Sequence, residues 1–407
     1  MIKGKLVVGQ SGGPTAVINA SLAGVLAAAR RQAAFTAVYG LVHGIEGAIN
    51  ENFYDLGAET SETLALLKTT PAAALGSCRY KLTDRDYERI LKVFQAHQVR
   101  YFVYIGGNDS MDTCQRISVM AQSQNYDLQV IGVPKTIDND LVLTDHTPGF
   151  GSAARFFAQA TRDVGRDLEA METFDDVTIL EVLGRNAGWL TAACSLGREQ
   201  ESEAPHLLYL PEQVFDEQKF LRDVVQVHSR LGRVFVAVCE GVRTSNGEFV
   251  GAAAMKDDQR DAFGHVLPTL MAGVGSYLVT LVRNNLHLQA RSIRPMFIGR
   301  VSSACISLTD QREAYQLGKQ AIHQLVAGES GYMVTLERVS DRPYEVINGL
   351  ASLTEVANAE KLLPAEFIAP QGNQVTEAFK TYALPLIGSP LPPFARLKGV
   401  VVDKKVS

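Results

Sequence analysis

Arg100-Tyr101-Phe102-Val103-Tyr104-Ile105-Gly106-Gly107-Asn108-Asp109-Ser110, RYFVYIGGNDS, sets an unbroken apolar run against a glycine pair and three short polar residues. Tyr101 to Ile105 reads as a strand buried on both faces, the glycine pair as the turn that ends it, and Met111 to Gln122 as the helix that follows. A turn of this kind aims backbone N–H groups and the positive end of a helix dipole at an anion. Leu128 to Asp140, LQVIGVPKTIDND, repeats the plan. Its apolar run, Val130 to Val133, stops at Pro134, so Lys135 to Asp140 is predicted to lie at a strand's carboxyl end, the edge where open α/β sheets bind ligands.

The same alternation extends in both directions. Leu6 to Val8 precedes a helical pattern from Ile18 to Arg31, and Val177 to Leu183 precedes one from Trp189 to Leu196. Further strands are expected at His206 to Leu210, Arg233 to Val238, Arg294 to Ile298 and Tyr332 to Leu336. Strands alternating with helices imply parallel sheets covered on both faces. At 407 residues, two such sheets fit better than one. The expected fold class is therefore α/β, with two mostly parallel sheets, each covered by helices on both faces. From Pro364 onward, and above all in SPLPPFARLKG (Ser389 to Gly399), the prolines predict an irregular surface strap ending in a loose tail, Val400 to Ser407.

Composition narrows the partners. An apolar fraction of 46%, 20% charged residues and a net charge of −5 describe an ordinary globular chain with no electrostatic footprint for nucleic acid or an anionic membrane. Any phosphate site must then be a local cluster of cations, and the expected partner is a small molecule. Cys78, Cys114, Cys194, Cys239 and Cys305 form no C-x-x-C pair, which argues against a zinc site or a disulfide framework and for a reducing compartment. No apolar stretch approaches the roughly 18 residues of a membrane span. Met1 to Lys5 runs directly into strand-like LVV without a signal-peptide core. A cytoplasmic location is expected.

Val8 to Ala20, VGQSGGPTAVINA, offers glycines before a helix but has neither the lysine of a P-loop nor G-x-G-x-x-G spacing. Alone it is a tight turn. Convergence makes the case: several strand ends each carry a glycine-rich or acidic turn, and the chemistry they offer is complementary. Phosphoryl transfer needs a donor cradle, cations for the moving group, a metal held by carboxylates, and a base for the acceptor hydroxyl. Asp138 and Asp140 flank Asn139, so in an extended segment their side chains share a face, one suited to a base and the other to a metal. The plainer reading is that both cap turns or the next helix. Arg79 in GSCRY and Arg185 in LGRNAG follow small residues, which leaves a guanidinium room to reach a phosphate.

GQSGGPTAVINA, LGSCR, IGGNDS, PKTIDND, EVLGRNAGW, VCEG and FIGR, in this order from about Lys5 to about Arg300, resemble the phosphofructokinase family, in particular its pyrophosphate-dependent branch. The resemblance implies two Rossmann-like three-layer α/β domains with the active site in the cleft between them, 1–150 with about 299–370 for the phosphoryl donor and about 151–298 with about 371–407 for the sugar phosphate. It also implies magnesium-assisted, reversible phosphoryl transfer to the 1-hydroxyl of fructose 6-phosphate. Carried over by position, Asp138 is the general base, Thr136 touches the transferring group or the sugar, and Arg79 offsets charge in the transition state. Gly13, Asn108, Asp109, Ser110 and Lys135 line the donor, and Asn108, Asp109 and Asp140 are the metal candidates. Leu183, Gly184, Arg185, Glu240 and Phe297 fall on the sugar. Arg291 and Arg300 match arginines that clamp the 6-phosphate, one of them lent by a neighbouring subunit, so a homo-oligomer, dimer or tetramer, is expected.

ATP-using relatives usually have glycine where Asp109 and Lys135 stand here, because the nucleotide needs that space. Ile45 and Thr113 also replace residues typical of ATP users. The expected donor is therefore pyrophosphate, ahead of an ATP-dependent enzyme of the same fold, a catalytically impaired regulatory subunit, and an oxidoreductase that lacks any dinucleotide fingerprint. Three departures stand out. Asn108 replaces a usual magnesium-binding aspartate, Asp176 a 6-phosphate arginine, and Phe297 a histidine or tyrosine. Lys81 or Arg294 could rebuild the 6-phosphate pocket, and His43 and His146 are read as structural.

Overall fold

The computed structural model describes residues 3–251, 273–357 and 359–406. Met1, Ile2 and Ser407, which the sequence reading set in the N-terminal run and the tail, lie outside them. The described residues form two sheets. The larger has the order β11-β10-β5-β4-β1-β2-β3 and the smaller β7-β8-β6-β9. Here β1 is Gly4–Gln10, β2 Phe35–Leu41, β3 Phe53–Asp55, β4 Val99–Gly106 and β5 Gln129–Pro134. The small sheet holds β6 Val177–Val182, β7 Leu207–Tyr209, β8 Val234–Cys239 and β9 Ala290–Ile293. β10 Tyr332–Asp341 and β11 Tyr344–Ser352 return to the large sheet as an antiparallel pair. All other pairings are parallel except β2 with β3.

The apolar runs behave as their composition dictates. β4, VRYFVYIG, and β6, VTILEV, are buried almost throughout, as strands covered on both faces must be. Pro134 lies opposite Gly106 at the ends of β5 and β4, so the Lys135–Asp140 segment and the Gly106–Ser110 turn leave the sheet side by side. Helices Ile18–Ala29 and Leu308–Ala327 cover one face of the large sheet, crossing at glycine: a methyl on Gly24 would stand 2.1 Å from Tyr315 O, and one on Gly318 would stand 2.0 Å from Ser21 O. Helix Phe150–Ala170 leads from the large sheet to the small one and buries Phe150 and Phe157 against Trp189 and Leu190.

Two expectations need correction. The strand expected at Arg294 to Ile298 is instead β9, four residues earlier, with a short helix at Ile298–Val301. Pro295 has no N–H for a ladder, and Met296 adopts φ +52, so the chain cannot continue as a strand there. The C-terminal segment is not all strap either. Helix Glu377–Ala383 forms within it and buries Phe379 beside Phe367. Among the described residues no helix is long and apolar enough to cross a membrane.

Candidate active site

The donor side is assembled at the carboxyl ends of β1, β4 and β5. Gly12 has φ +74, a conformation glycine tolerates freely, so the Gly12-Gly13 turn exposes its backbone after β1. Buried Gln10 and Asn19 hold the neighbouring Ala74–Leu75 segment through bonds of 3.0 and 2.9 Å, which brings Arg79 alongside. A methyl on Gly13 would lie 3.0 Å from Arg300 Nη1 and 3.9 Å from Arg79 Nη2. Lys135, only 3% exposed, crosses the same turn and donates from Nζ to Gly13 O at 2.9 Å. Burial, with Arg300 and Arg79 beside it, pulls the Lys135 ammonium down to about 8 against the opposing pull of Asp138 and Asp140. Three cations thus surround one glycine. Asp109 is exposed in the first turn of helix Asn108–Ser123, and Ser110 is buried under Gly106.

The acidic loop follows β5 directly. Asn139, fully buried, takes φ +55, so Asp138 and Asp140 share the cleft through a left-handed turn and not through an extended segment. Thr136 Oγ1 accepts from Asp138 N at 3.0 Å and also bonds the Asp140 carboxylate, so its hydroxyl helps to shape the loop. Burial pushes the Asp138 carboxyl above its usual range while Arg185 and Lys135 oppose the shift. Burial, Asp138 and Glu360 push Asp140 up to about 7, and Asp140 Oδ1 has no hydrogen-bond partner.

That carboxyl carries a prediction for the ligand-free protein. Its native pKa lies above the unfolded value of 3.8, so it favours the fold fully below about pH 4, and this contribution is lost as pH rises to about 7. Asp140→Asn lacks the titration. In urea titrations the stability of the variant relative to the native chain is expected to improve by roughly 2–4 kcal/mol between pH 4 and pH 7.5. A constant difference would show that the Asp140 carboxyl titrates in the fold as it does in the unfolded chain, with no upward shift from burial or neighbouring carboxylates.

The sugar side follows β6 and β8. Arg185, at φ +38, and Gly184 form the turn after β6, and Arg185 lies within electrostatic reach of Asp138. Glu240, just past β8, accepts the N–H of Gly184 at 3.4 Å and that of Arg185. Burial, Asp138 and Glu181 push the Glu240 carboxyl up to about 7, and its Oε2 has no partner. Leu183 is half-buried against the core cluster below.

The remaining expected residues are placed as follows. Arg300, expected on the 6-phosphate, stands on the donor side beside Gly13 and Arg79, stacked 4.6 Å over the half-exposed Phe297 ring. Arg291 does not reach this chain's cleft. It pairs with Thr178 near the start of β6, whereas the Leu183–Arg185 turn leaves the other end, about 13 Å away at 3.3 Å per residue. Its guanidinium is engaged by Asp167 and, at 3.1 Å, by Asp175. Arg294 pairs with Glu181 at 2.8 Å, Asp176 with His228 at 3.0 Å, and Lys81 is exposed.

One segment escaped the sequence reading. Ala359–Leu363 crosses the cleft: Ala359 O accepts from Asn108, Lys361 N donates to Asp140 O at 2.7 Å, and Leu363 N donates to Glu212 at 2.8 Å. Glu360 joins the carboxylates near Asp138 and is bonded by Asn186 at 3.2 Å. Nothing in its sequence marks it, because it is brought here by the strand pair β10–β11 and not by a motif.

Residues 5–325 match the model of the phosphofructokinase family. A relative from Rhodospirillum rubrum, named pyrophosphate–fructose 6-phosphate 1-phosphotransferase, is 42% identical over 405 residues, covering 99% of each chain. A relative of the same name from Methylococcus capsulatus is 40% identical, covering 98% of this chain and 97% of its own. The crystal structure of a pyrophosphate-dependent phosphofructokinase from Nitrosospira multiformis matches with a TM-score of 0.87 at 39% identity, covering 99% of both chains. A model match over most of the chain, joined to full-length relatives at this identity, means that the chain belongs to the phosphofructokinase family.

Proposed function

We propose that the chain transfers a phosphoryl group from pyrophosphate to the 1-hydroxyl of fructose 6-phosphate, giving fructose 1,6-bisphosphate and phosphate, reversibly. The observation that carries the choice of donor is Lys135: its buried ammonium spans the Gly12-Gly13 turn, beside Arg79 and Arg300. A compact trio of cations suits a small, highly charged inorganic donor. Asp138, raised in pKa and facing these cations, takes the proton of the 1-hydroxyl as that oxygen bonds to phosphorus. The bridging P–O bond breaks, and Lys135 and Arg79 hold the departing phosphate. Glu240 Oε2 and the Arg185 guanidinium orient the sugar, while burial under Ala359–Leu363 limits water.

Asp140 fits a hard cation, since its buried Oδ1 lacks a partner within a cluster of carboxylates. Among the described residues no three His, Cys, Asp or Glu side chains form a cage. That suits magnesium, which is commonly held by one or two carboxylates plus substrate phosphates. Asp140, with Asn108 or Asp109, would hold it, and when bound it would offset charge on the donor.

Arg291 motivates a further part of the reading. Because it lies at the far end of β6 from its own cleft, a role on a 6-phosphate is served in a neighbouring copy, which makes the enzyme a homo-oligomer. The division into 1–150 with about 299–370 and about 151–298 with about 371–407 is supported by the membership of the two sheets. Steady-state rates with magnesium and fructose 6-phosphate test the whole. Saturation by pyrophosphate with kcat/KM at least 10²-fold above that for ATP is expected; the reverse preference would install the ATP-dependent reading.

A further inference from the structure

The acidic loop is held from behind by a buried ionic assembly that motif reading passes over. His146, 1% exposed, bonds Asp145 through Nδ1 and Glu313 through Nε2, both at 2.7 Å. Burial alone would pull its imidazole down, but Glu313 and Asp145 push it up to about 9, so it is a buried imidazolium between two carboxylates. Tyr344 closes the Glu313 end at 2.6 Å, and Arg338 closes the Asp145 end at 2.9 and 3.1 Å. The main-chain oxygen of Asp145 then accepts from Lys361 Nζ and from the Tyr382 hydroxyl, each at 2.8 Å. That hydroxyl accepts in turn from Asn139 Nδ2 at 3.0 Å, and Asn139 Oδ1 accepts from Thr147 N at 3.0 Å. Asn139 is the left-handed residue between Asp138 and Asp140.

We propose that Tyr382 is a positioning residue for phosphoryl transfer, its hydroxyl linking the His146–Asp145 ion pair to Asn139 and so fixing where Asp138 stands. The inference rests on the reading of Asp138 as the base. Asparagine tolerates the left-handed region better than other residues with a side chain but adopts extended backbone as readily, so the bonds on its amide select between the two. Both ends of the Asn139 amide are held here, one by a backbone N–H and the other by the phenol. The phenol is itself fixed on three sides. It donates to Asp145 O, its ring stacks 4.4 Å under the Arg338 guanidinium, and it packs 5.4 Å from both Trp189 and Phe367. Asn139 joins Asp138 to Asp140 in the main chain, so the bonds on its amide set where the Asp138 carboxylate leaves the loop, and Arg185 and Lys135 act on the carboxylate from the cleft side. Arg338, Tyr344, Lys361 and Tyr382 all lie beyond residue 325, where the match to the family model ends. The C-terminal fifth of the chain thereby acquires a part in catalysis without touching substrate.

Tyr382→Phe deletes only the linking oxygen and keeps the ring packing. The expected result is kcat lowered 10- to 100-fold with KM for sugar phosphate and donor within threefold, since a displaced base weakens the transition state and not substrate binding. Tyr209→Phe is the comparison: it removes a similarly buried hydroxyl, bonded to Asp223 at 3.0 Å away from the cleft, and should leave kcat within twofold. Combined with Asn139→Ala, Tyr382→Phe should cost less than twofold more than Asn139→Ala alone, because both remove the same bond. A Tyr382→Phe enzyme with kcat within twofold of native, or losses that multiply in the double variant, would overturn the proposal. Rates are compared using whichever donor the native enzyme accepts, so failure of pyrophosphate as donor is seen separately, in the native enzyme. Hydrogen exchange at the Thr147 amide judges the link without turnover: faster exchange in Tyr382→Phe supports it, and unchanged exchange counts against it.

Discussion

Asp138→Asn is expected to lower kcat by about 10²- to 10⁴-fold, the range for losing a positioned general base, with KM for both substrates changed far less. The substitution keeps the volume and the backbone bond from Asp138 N to Thr136 Oγ1, so the loop should survive. What it removes is the ability to accept a proton. Burial raises the native carboxyl while Arg185 and Lys135 oppose the rise, and an upward shift makes a carboxylate the stronger base. Asparagine also removes a negative charge between Lys135, Arg185 and Arg300, so the donor should bind at least as tightly as before. A fall in kcat with unchanged or lower KM is therefore the signature. A variant that keeps a tenth or more of native turnover would take Asp138 out of that role and leave it a counter-ion for the cations around it.

The legible and illegible parts of this chain divide along a physical line. β4 and β5 were readable because strands buried on both faces must be continuous apolar runs, and because glycine and proline end them for steric reasons that need no tertiary context. The neighbouring polar turns could be assigned to a single cleft because parallel strands deliver all their carboxyl ends to one edge. Arg300 shows where this stops. Its sequence neighbours say that it belongs to the site, but only packing shows that its guanidinium lies against Gly13 on the donor side. The turn at Asn139 was misjudged as extended because an asparagine can adopt either conformation, and the bonds that select the left-handed one come from Thr147 and Tyr382, eight residues and 243 residues away. Glu360 and Lys361 carry no local signal at all; long-range strand pairing delivers them. His146 gives no local signal of its surroundings either, because Glu313, on the far side of its ring from Asp145, is 167 residues away in the chain.

Changing Asp109 and Lys135 together to glycine is expected to raise the KM for pyrophosphate roughly 10- to 100-fold and to admit measurable ATP turnover. The first effect follows from Lys135. Its ammonium is fully enclosed and lies at the Gly12-Gly13 turn, where a methyl on Gly12 would already come within 3.1 Å of Nζ. A charge-assisted hydrogen bond is worth about 1.5–3 kcal/mol, which converts to that range in KM. Arg79 and Arg300 remain, so binding is weakened and not abolished. The second effect is steric: removing a four-carbon side chain from beside the turn opens the volume that a nucleotide's inner phosphate and ribose require. Asp109 contributes differently. It is exposed on the first turn of helix Asn108–Ser123, so it costs a nucleotide mainly through charge repulsion, and Asp109→Gly alone should shift the pyrophosphate KM less than Lys135→Gly alone. If the double variant shows neither ATP turnover nor weaker saturation by pyrophosphate, then Lys135 does not set the donor, and the selectivity must reside in the Arg79–Arg300 pair that the substitution leaves in place.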